Sequence, residues 1–343
     1  MKAHVTGGGG FLGRAITEIL LGRGDHVRIF SRQRYPVIES LGAEGMQGDI
    51  RNLDDLTKAC MGRDTVFHTA ALPGVWGDMA LYTAVNVTGT RNVIEAAKRR
   101  GVGKLVFTSS PSVVFNMRDE NGIDETAPYP PRFYNPYSET KARAEEMVLK
   151  TNGADGLLTC SLRPHLIWGP RDNHLIPRLI ERARKRQLRI VGKGRNKVAL
   201  TYIENAAVAH LLACDAMSPK RVAGEAYFIS DEEPVALWEW INALLEQLGI
   251  PQVTRHVSAP LAYAAGYCME QWFAWRKRQD EPRMTRFLAR ALSCSHYYNL
   301  AKAKRDFGYH TIVDNAEGVQ RTVAYFRDES SPQRHRDAEK EER

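Results

Sequence analysis

A strand-like run that passes directly into closely spaced glycines restricts the possible folds of this chain more than any other feature. Residues 2–6, Lys-Ala-His-Val-Thr, are interpreted as a short buried strand, and Gly7-Gly8-Gly9-Gly10-Phe11-Leu12-Gly13 follows at once. Glycines at positions 7, 10 and 13 permit a tight turn, a close approach of the backbone to a pyrophosphate, and close packing of a helix on a strand. Apolar residues then continue at helical spacing to Leu20. The segment predicts a dinucleotide-binding unit, with the anion at the N-terminus of the first helix.

Strand-like runs continue to alternate with amphipathic helices along the first half of the chain. The later predicted strands are 26–31, 65–69, 104–108 and 158–163. Strands separated by helix-length segments are typical of an α/β fold with a Rossmann-type, doubly wound parallel sheet.

The alternation loosens after about residue 170, where the helical segments 238–248, 261–275 and 316–326 dominate. We therefore expect a smaller, mostly helical C-terminal substrate lobe that is interleaved with the first domain. The predicted ranges are 1–170 for the NADP-binding Rossmann domain, with further segments from about 198–230, then 171–327 for the lobe and 328–343 for a disordered, charged tail.

Composition restricts the class of protein. The 343 residues are 43% hydrophobic, which is enough for a sizeable core, and the five cysteines include no CxxC pair. With no signal peptide before the first strand, these features predict a reducing cytoplasm and no structural metal. The net charge of +8 comes without a recognised nucleic-acid-binding module, so no nucleic-acid partner is expected. The basic segment 178–189 has helical spacing and is interpreted as a solvated face, with attraction of an anionic substrate or membrane as the alternative.

The run Tyr137-Ser138-Glu139-Thr140-Lys141 places a phenol and an ammonium four residues apart. On a helix this spacing puts both groups on one face. An ammonium near a phenol favours the phenolate, which predicts a lowered pKa for Tyr137. A tyrosine in this setting transfers a proton to or from a substrate oxygen, so the pair indicates an acid/base site for hydride chemistry. A hydroxyl of Thr108-Ser109-Ser110, at a predicted strand end, is a candidate to share that oxygen.

Cofactor preference is predicted from the residues that end the second strand. An NAD enzyme usually has an acid there to bind the ribose hydroxyls, whereas this chain has Ser31-Arg32. An acid would repel the 2′-phosphate of NADP, while arginine binds it with paired hydrogen bonds. NADP(H) is therefore preferred and NAD(H) is the alternative, in which Arg32 is an ordinary surface arginine.

Other polar and small residues at predicted strand ends are candidates to contact the cofactor. Asp49 and Ile50 are placed to bracket an adenine, with Asp49 accepting a hydrogen bond from its amino group. Ala70 and Ala71 leave a strand where a nicotinamide mononucleotide half can lie close to the backbone. Asn86 is a polar residue in a helix, and a structural hydrogen bond explains it as well as a catalytic one.

These motifs together resemble the extended short-chain dehydrogenase/reductases, and within that superfamily the 3β-hydroxysteroid dehydrogenase family. The resemblance runs from the first strand to about residue 327. The matching motifs are Thr6-Gly7 to Gly13, Gly48-Asp49-Ile50, Thr108-Ser109-Ser110, Tyr137 to Lys141, Leu162-Arg163-Pro164-His165-Leu166-Ile167-Trp168-Gly169-Pro170, Thr201-Tyr202-Ile203-Glu204-Asn205 and Ser295-His296-Tyr297-Tyr298.

The resemblance implies a role for each residue of the predicted catalytic site. It implies that Ser110 orients the substrate oxygen, that Tyr137 is the proton donor or acceptor, and that Lys141 binds the nicotinamide ribose while lowering the pKa of Tyr137. The backbone of 164–167 is expected to contact the nicotinamide. The expected cofactor-binding residues are Gly7, Gly10, Phe11, Leu12, Gly13, Ser31, Arg32, Asp49, Ile50, Ala70, Ala71, Asn86, Tyr137, Lys141, Pro164, His165, Leu166 and Ile167.

Two patterns within the family point to different substrates. The segments 74–77, 110–113 and 172–175 resemble members that act on 2-alkyl-3-oxoalkanoic acids, whereas Gly169-Pro170-Arg171-Asp172 is nearer to members that act on 4α-carboxysterols. Both substrates carry an alcohol or ketone β to a carboxylate on a large hydrophobic skeleton. The resemblance implies NADPH-dependent reduction of the alkyl 3-oxo acid as the leading expectation and 3β-hydroxysteroid or sterol-carboxylate oxidation as the alternative. Arg171, His165 and His174 are candidates to bind the carboxylate.

The segment 261–275, rich in Ala, Tyr, Trp and Phe, also fits a hydrophobic substrate. Glu270 and the short apolar length argue against a membrane span, so we expect a lid or core helix. The alternative is peripheral membrane contact through 261–278, because Arg276-Lys277-Arg278 follows the aromatic residues.

Further function classes stay open on the same fold. A nucleotide-sugar epimerase or dehydratase is disfavoured because no acid follows the second strand, and a cofactor sensor without catalysis is disfavoured by the intact Tyr137/Lys141 pair. The resemblance also implies a homodimer.

Overall fold

The computed structural model describes residues 1–329, which are organised around parallel strands that follow the predicted alternation. The predicted strands 26–31 and 104–108 have those bounds in the structure, and the other two differ by one residue at their C-terminal ends. Within the described residues the strands are β1 (Lys2–Thr6), β2 (His26–Ser31), β3 (Glu44–Gln47), β4 (Thr65–His68), β5 (Lys104–Thr108), β6 (Glu120–Ile123), β7 (Leu158–Pro164), β8 (Ile167–Trp168), β9 (Ile190–Val191), β10 (Lys197–Val198), β11 (Thr201–Tyr202), β12 (Ala226–Ile229), β13 (Val235–Ala236), β14 (His256–Val257) and β15 (His296–Tyr298).

Helices connect these strands, and a π-helix at Thr83–Thr88 joins two of the α-helices. Short 3₁₀ turns lie at Pro111–Val113 and Ala154–Gly156. The α-helices of the described chain are α1 (Phe11–Gly22), α2 (Pro36–Ser40), α3 (Leu53–Ala59), α4 (Met79–Tyr82), α5 (Gly89–Arg99), α6 (Pro136–Lys150), α7 (Leu175–Arg184), α8 (Ile203–Ala216), α9 (Leu237–Gln247), α10 (Ala259–Trp275), α11 (Arg286–Ala291), α12 (Ala301–Phe307) and α13 (Asn315–Glu329).

The central sheet has seven parallel strands in the order β12-β7-β5-β4-β1-β2-β3. The strand order reverses between β1 and β4, and ligands of such sheets bind at the carboxyl ends of the strands beside this reversal. The predicted Rossmann-type doubly wound fold is confirmed. The glycine loop after β1 and the exit of β4 therefore meet at one edge of the sheet.

Both faces of the central sheet are buried, as parallel sheets require. Successive residues of β5 show this, because Val106 packs in the core beside α1 while Phe107 packs in the core beside α5 and α6. The inner strand β5 therefore contains the continuous apolar run Leu105-Val106-Phe107, which explains why its bounds were visible in the sequence.

The remaining elements form a smaller lobe that shares segments with the large sheet. A second sheet has the order β13-β10-β15-β6, and its strand β6 comes from the chain before α6. Conversely, α8 packs beside α1, and β12 forms an edge of the large sheet. The chain thus crosses several times between the large sheet and the lobe.

The last helix runs further than the predicted 316–326. It is anchored by the buried Val319, Val323 and Phe326, and it continues to Glu329. Residues 328 and 329 are therefore helical, which corrects the start of the predicted disordered tail, and the rest of that tail lies outside the described residues.

The aromatic segment near residue 270 forms α10. Over residues 1–329, none of the helices combines the length and the apolar character that crossing a membrane requires. The buried Glu270 of α10 accepts two hydrogen bonds from Arg286 of α11, at 2.7 and 2.6 Å, which holds the two helices together.

Candidate active site

The loop between β1 and α1 is shaped for a ligand that approaches the backbone closely. Gly7 has a φ of +69°, and its amide donates to the carbonyl of Phe30 at 2.8 Å. A Cβ on Gly13 would lie 2.2 Å from the Gly7 carbonyl oxygen, so only glycine permits this packing of helix on loop. The helix begins after Gly10 without a side-chain cap. A loop without side chains that leads into an uncapped helix N-terminus fits the pyrophosphate of a dinucleotide.

The end of β2 presents one arginine without a partner acid. The amide of Gly9 lies 3.4 Å from the Ser31 hydroxyl, which places Ser31 directly beside the glycine loop. Arg34 is engaged by Glu39, with a hydrogen bond of 2.7 Å. Arg32 is exposed and forms no salt bridge with any described residue. Its guanidinium is therefore accessible to a ligand phosphate.

The Asp49 carboxylate, which is predicted to accept a hydrogen bond from an adenine, already has a partner within the protein. Arg51 donates to both carboxylate oxygens at distances of 2.6 to 3.1 Å. These hydrogen bonds hold the pKa of Asp49 below its usual range. The side chain of Ile50 is buried beside α5, where its methyl group contacts Gly89. An adenine amino group would share the Asp49 carboxylate with Arg51.

A buried hydrogen-bond network joins β1 to the exit of β4. The Thr6 hydroxyl lies 2.7 Å from Nδ1 of His68, and Nε2 of His68 lies 3.0 Å from the Thr90 hydroxyl. Burial lowers the pKa of His68 to about 3, so its ring is neutral. The Ala70 amide also donates to Thr6 Oγ1, at 3.3 Å. The network holds Ala70 against Gly7, whose added Cβ would lie 3.0 Å from the Ala70 backbone.

Asn86 lies in the π-helix and uses its whole amide within the protein. Its Oδ1 accepts from the Leu72 amide at 2.7 Å, and its Nδ2 donates to the Leu72 carbonyl and to the Thr140 hydroxyl. The geometry supports the structural interpretation of this residue. Asn86 therefore holds the segment after β4, which includes Ala71, against α6. Single π-helical turns are frequent at functional sites.

Helix α6 carries Tyr137 and Lys141 on one face. Asn135 caps it by accepting from the Ser138 amide at 2.7 Å, and Pro136 occupies the first turn, where no amide is needed. Tyr137 lies in that first turn and is half-buried. This start to the helix fixes the position of the phenol relative to the end of β5.

Ser110 and Tyr137 come together as predicted. Ser110 follows β5, and its hydroxyl lies near enough to the Tyr137 phenol to lower the pKa of that phenol. Its Oγ also accepts from the Ser112 amide at 3.2 Å, which fixes its rotamer. Two neighbouring hydroxyls can both donate to one substrate oxygen.

The pKa of Tyr137 moves in the direction opposite to the expected one. Burial raises it to about 12, and the nearby Ser110 hydroxyl offsets this only in part. Lys141 is itself buried, and burial lowers the pKa of its ammonium to about 7, while Glu145 acts in the opposite direction. The expectation that Lys141 lowers the pKa of Tyr137 is thus corrected. Burial weakens the positive charge of Lys141, and its amine binds the Thr108 carbonyl.

The Lys141 ammonium lies beneath the end of β5. It donates to the Thr108 carbonyl and lies 3.9 Å from the centroid of the Phe107 ring. Both contacts come from β5, whose next residues lead to Ser110. Lys141 therefore ties α6 to the strand that supplies the serine.

Glu145 is a residue of this site that the sequence interpretation missed. One turn beyond Lys141, its carboxylate accepts from Arg163 of β7 at 2.6 Å, with both side chains buried, and also from Tyr129 and Ser161. Its spacing of four from Lys141 was the available signal. The pair fixes α6 on the sheet and thereby positions Tyr137 and Lys141.

The segment 164–167 runs from the last residue of β7 to the first residue of β8 and carries strain at Leu166, whose φ is +40°. His165 packs on His296, and their Nε2 and Nδ1 atoms lie 2.7 Å apart. His296 is bonded in turn to the Ala291 carbonyl at 2.8 Å. Burial, reinforced by His296, holds the pKa of His165 well below its usual value. A neutral ring cannot supply the cation proposed for a carboxylate, so that expectation is corrected.

Arg171 and His174 do not form the expected carboxylate site. The Arg171 guanidinium donates twice to Glu18 of α1, at 2.7 and 3.0 Å. Together with Gly9 and Gly10 it borders a cavity of about 580 Å³ outside the glycine loop. His174 is exposed at the start of α7. Arg171 is therefore committed to an acid of the protein itself, which the sequence distance of 153 residues concealed.

Comparisons with known proteins agree with this geometry. A family model described as the 3-beta hydroxysteroid dehydrogenase/isomerase family matches residues 4–260. The chain is 47% identical over 332 residues to a 2-alkyl-3-oxoalkanoate reductase of Shewanella oneidensis, covering 94% of this chain and 85% of that protein. It is 36% identical over 330 residues to a sterol-4-alpha-carboxylate 3-dehydrogenase, decarboxylating, of Mus musculus, covering 95% and 91%.

A solved structure agrees at the level of the fold. The UDP-glucuronic acid 4-epimerase from Bacillus cereus in complex with NAD superposes with a TM-score of 0.75, covering 96% of this chain and all of that one, at 22% identity. The prediction of an NAD(P)-dependent oxidoreductase acting on alcohol or ketone groups is confirmed by the family match and the relatives. The chain belongs to the 3-beta hydroxysteroid dehydrogenase/isomerase family.

Proposed function

We propose that this protein is an NADPH-dependent reductase that converts a 2-alkyl-3-oxoalkanoic acid into the 2-alkyl-3-hydroxyalkanoic acid. The observation that carries the proposal is the proximity of the Ser110 and Tyr137 hydroxyls, with Lys141 one turn further along α6. The similarity to the Shewanella oneidensis reductase supports the substrate class.

The residues of the site divide the reaction between them. When bound, NADPH would supply the hydride for the ketone carbon. The hydroxyls of Ser110 and Tyr137 bind the ketone oxygen, and Tyr137 donates the proton that completes the alcohol. A pKa of about 12 keeps the phenol protonated at neutral pH, which is the form that reduction requires. Lys141 holds the end of β5 through the Thr108 carbonyl and so keeps Ser110 in register with Tyr137.

The preference for NADPH rests on the end of β2. Ser31 lies beside the glycine loop, and Arg32 is exposed without a partner acid among the described residues. A guanidinium in this position favours a ribose 2′-phosphate, and no carboxylate at position 31 repels it. Gly7, Gly10, Phe11, Leu12 and Gly13 would hold the pyrophosphate.

The test is to measure NADPH formation with a 2-alkyl-3-hydroxyalkanoic acid and a 4α-carboxysterol in parallel, with NAD as the cofactor control. We expect turnover of the alkyl acid with NADP. The Tyr137→Phe protein should bind NADPH as the wild type does and lose turnover by about 100-fold or more, because general acid catalysis is worth that much. Turnover by Tyr137→Phe at the wild-type rate would contradict the assigned chemistry.

Oxidation of a 4α-carboxysterol is the second candidate. It is supported by the similarity to the mouse sterol dehydrogenase and by the segment Gly169-Pro170-Arg171-Asp172. Turnover of the sterol alone in the same assay would establish it in place of the alkyl acid.

We further propose a cytoplasmic homodimer with a peripheral membrane contact through 261–278. The five cysteines are unpaired, and all but Cys268 are buried, which suits a reducing compartment.

Leu261, Trp272 and Trp275 of α10 are 62%, 45% and 73% exposed, and the Arg276 guanidinium lies over both tryptophan rings. Such a surface suits an anionic interface. Vesicle cosedimentation and light scattering test the contact and the dimer.

A further inference from the structure

His296 is a buried histidine of β15 that contacts three separate segments of the protein. Its Nδ1 lies 2.7 Å from Nε2 of His165, and its Nε2 lies 2.8 Å from the Ala291 carbonyl oxygen at the end of α11. Its ring also packs edge-on against Phe115, with the ring centroids 5.9 Å apart. A single imidazole of the smaller lobe thus holds two segments that follow strands of the large sheet.

Both of these segments begin beside Ser110. Strands β5 and β7 are parallel neighbours, and the Ser109 amide donates to the Leu162 carbonyl at 2.6 Å. Ser110 is the next residue after the first strand, and His165 lies three residues beyond Leu162 at the end of the second. The turn that starts at Ser110 leads to Phe115. The two segments therefore flank Ser110 at the carboxyl ends of the strands.

The hydrogen bonds fix the position of the proton on each ring of the histidine pair. A carbonyl oxygen only accepts, so Nε2 of His296 carries the proton that binds Ala291. Burial lowers the pKa of both histidines, so each ring is neutral and has one proton. Nδ1 of His296 is then an acceptor, and Nε2 of His165 donates to it. The hydrogen bonds run in one direction, from His165 through His296 to Ala291.

The backbone beside His165 is held in a strained conformation. Leu166 has a φ of +40°, which a residue other than glycine adopts only at a cost. The Thr201 hydroxyl donates to the His165 carbonyl at 2.6 Å, and the His165 amide donates to the Ile229 carbonyl at 3.1 Å. Strain of this kind persists only where the surrounding structure enforces it, and it is concentrated at functional sites. The hydrogen bond from the His165 ring to His296 adds a side-chain anchor to these backbone contacts.

We propose that His296 is a positioning residue for hydride transfer, which holds the segment 164–167 and the segment after Ser110 in one arrangement. The inference rests on the proposed function. In doubly wound sheets the cofactor lies outside the carboxyl ends of the strands, so the turn after β7 borders the same space as Ser110. Hydride transfer requires the reacting atoms to lie about 3–3.5 Å apart in the correct orientation. A displacement of either segment should therefore lower kcat.

The experiment separates hydrogen bonding from packing at position 296. In His296→Leu an apolar side chain fills the space, but His165 and Ala291 lose their hydrogen-bond partner. In His296→Gln the side-chain oxygen can accept from His165, and the amide nitrogen can donate to Ala291. His310→Leu is the matched control, since His310 is exposed and its ring lies 2.9 Å from the Gly308 carbonyl oxygen.

The kinetics of each full-length protein are measured with NADP and the acid substrate that the wild type oxidises. The kcat is expressed per NADPH-binding site, so that a smaller folded fraction does not lower it. His296→Leu should lower kcat by about 10- to 100-fold and keep KM within about twofold of the wild type, because a misplacement of about 1 Å costs up to that much. His296→Gln should recover most of the loss, and His310→Leu should match the wild type.

Nitrogen NMR of the histidine-labelled wild type tests the hydrogen bonds in the unaltered protein. The His165→Gln and His296→Gln proteins assign the two signals. Both rings should be neutral at neutral pH and should carry their proton on Nε2. A proton on Nδ1 of His296, or a charged ring, would contradict the proposed direction of the hydrogen bonds.

Three kinetic outcomes would overturn the inference while the proposed function stands. The first is a wild-type kcat in His296→Leu, and the second is an equal loss in His296→Leu and His296→Gln, which would assign the effect to packing. The third is a raised KM with an unchanged kcat, which would assign His296 to substrate binding. If the wild type oxidises neither the alkyl acid nor the sterol, the proposed function fails and this inference fails with it.

Discussion

The sharpest test of the dinucleotide site is Gly13→Ala. The added Cβ would lie 2.2 Å from the Gly7 carbonyl oxygen, 2.8 Å from the Gly7 carbonyl carbon and 2.9 Å from the Thr69 hydroxyl. Real contacts of this kind need about 1 Å more room, so α1 and the loop must separate by about that distance.

The cost follows from this overlap. Forcing one methyl group into a packed contact costs about 1–3 kcal/mol. In the cofactor-free protein, a shift of the helix relieves part of the strain. The bound state cannot relax in this way, because the pyrophosphate requires the loop amides and the helix N-terminus together. Since 1.4 kcal/mol is a factor of ten, NADPH affinity should fall by about 10- to 100-fold.

The assay is NADPH titration followed by cofactor fluorescence, with a thermal melt of each cofactor-free protein. Gly22→Ala is the matched control, since Gly22 ends the same helix and nothing lies within 4 Å of its added Cβ. That control should keep wild-type affinity and gain about 0.5 kcal/mol of stability. Wild-type NADPH affinity in Gly13→Ala would refute the assignment of the pyrophosphate to this loop.

Three further predictions concern single side chains of the site. Burial lowers the pKa of Lys141 from 10.5 to about 7, so the unfolded chain binds more protons between these values. The free energy of unfolding of the wild type should therefore rise relative to that of Lys141→Met when the pH is raised from 7 to 10. Denaturant unfolding at both pH values measures this difference, and a difference that does not change with pH would contradict the prediction. Glu145→Gln leaves the buried Arg163 without its carboxylate partner and should lower the free energy of unfolding by about 3–5 kcal/mol. The control Glu146→Gln, at an exposed position, should lower it by at most about 1 kcal/mol. Equal losses of stability in urea unfolding would disprove the anchoring role of Glu145. Ser31→Asp should lower the NADPH to NADH ratio of kcat/KM by at least about tenfold, and an unchanged ratio would refute the phosphate assignment.

Much of the fold and of the site was visible in local patterns. The strand 104–108 could be predicted because its centre, Leu105-Val106-Phe107, is a continuous apolar run that is buried on both faces of the sheet. The roles of Asn86, Asp49 and Arg171 were harder, since each depends on a hydrogen-bond partner that the sequence pattern did not disclose. Thr140 lies 54 positions from Asn86, and Glu18 lies 153 positions from Arg171. Only the packing of α6 and α1 brings these groups within bonding distance.

The sequence by itself determined the glycine loop and the face shared by Tyr137 and Lys141, because both depend on spacing within one turn or one helix. The tertiary structure decided which groups are charged. Burial raises the pKa of Tyr137 to about 12 and lowers that of Lys141 to about 7. It also decided that Glu18 pairs with Arg171. Desolvation and charge pairing depend on distant segments that only the packed chain brings together, so sequence spacing cannot supply them.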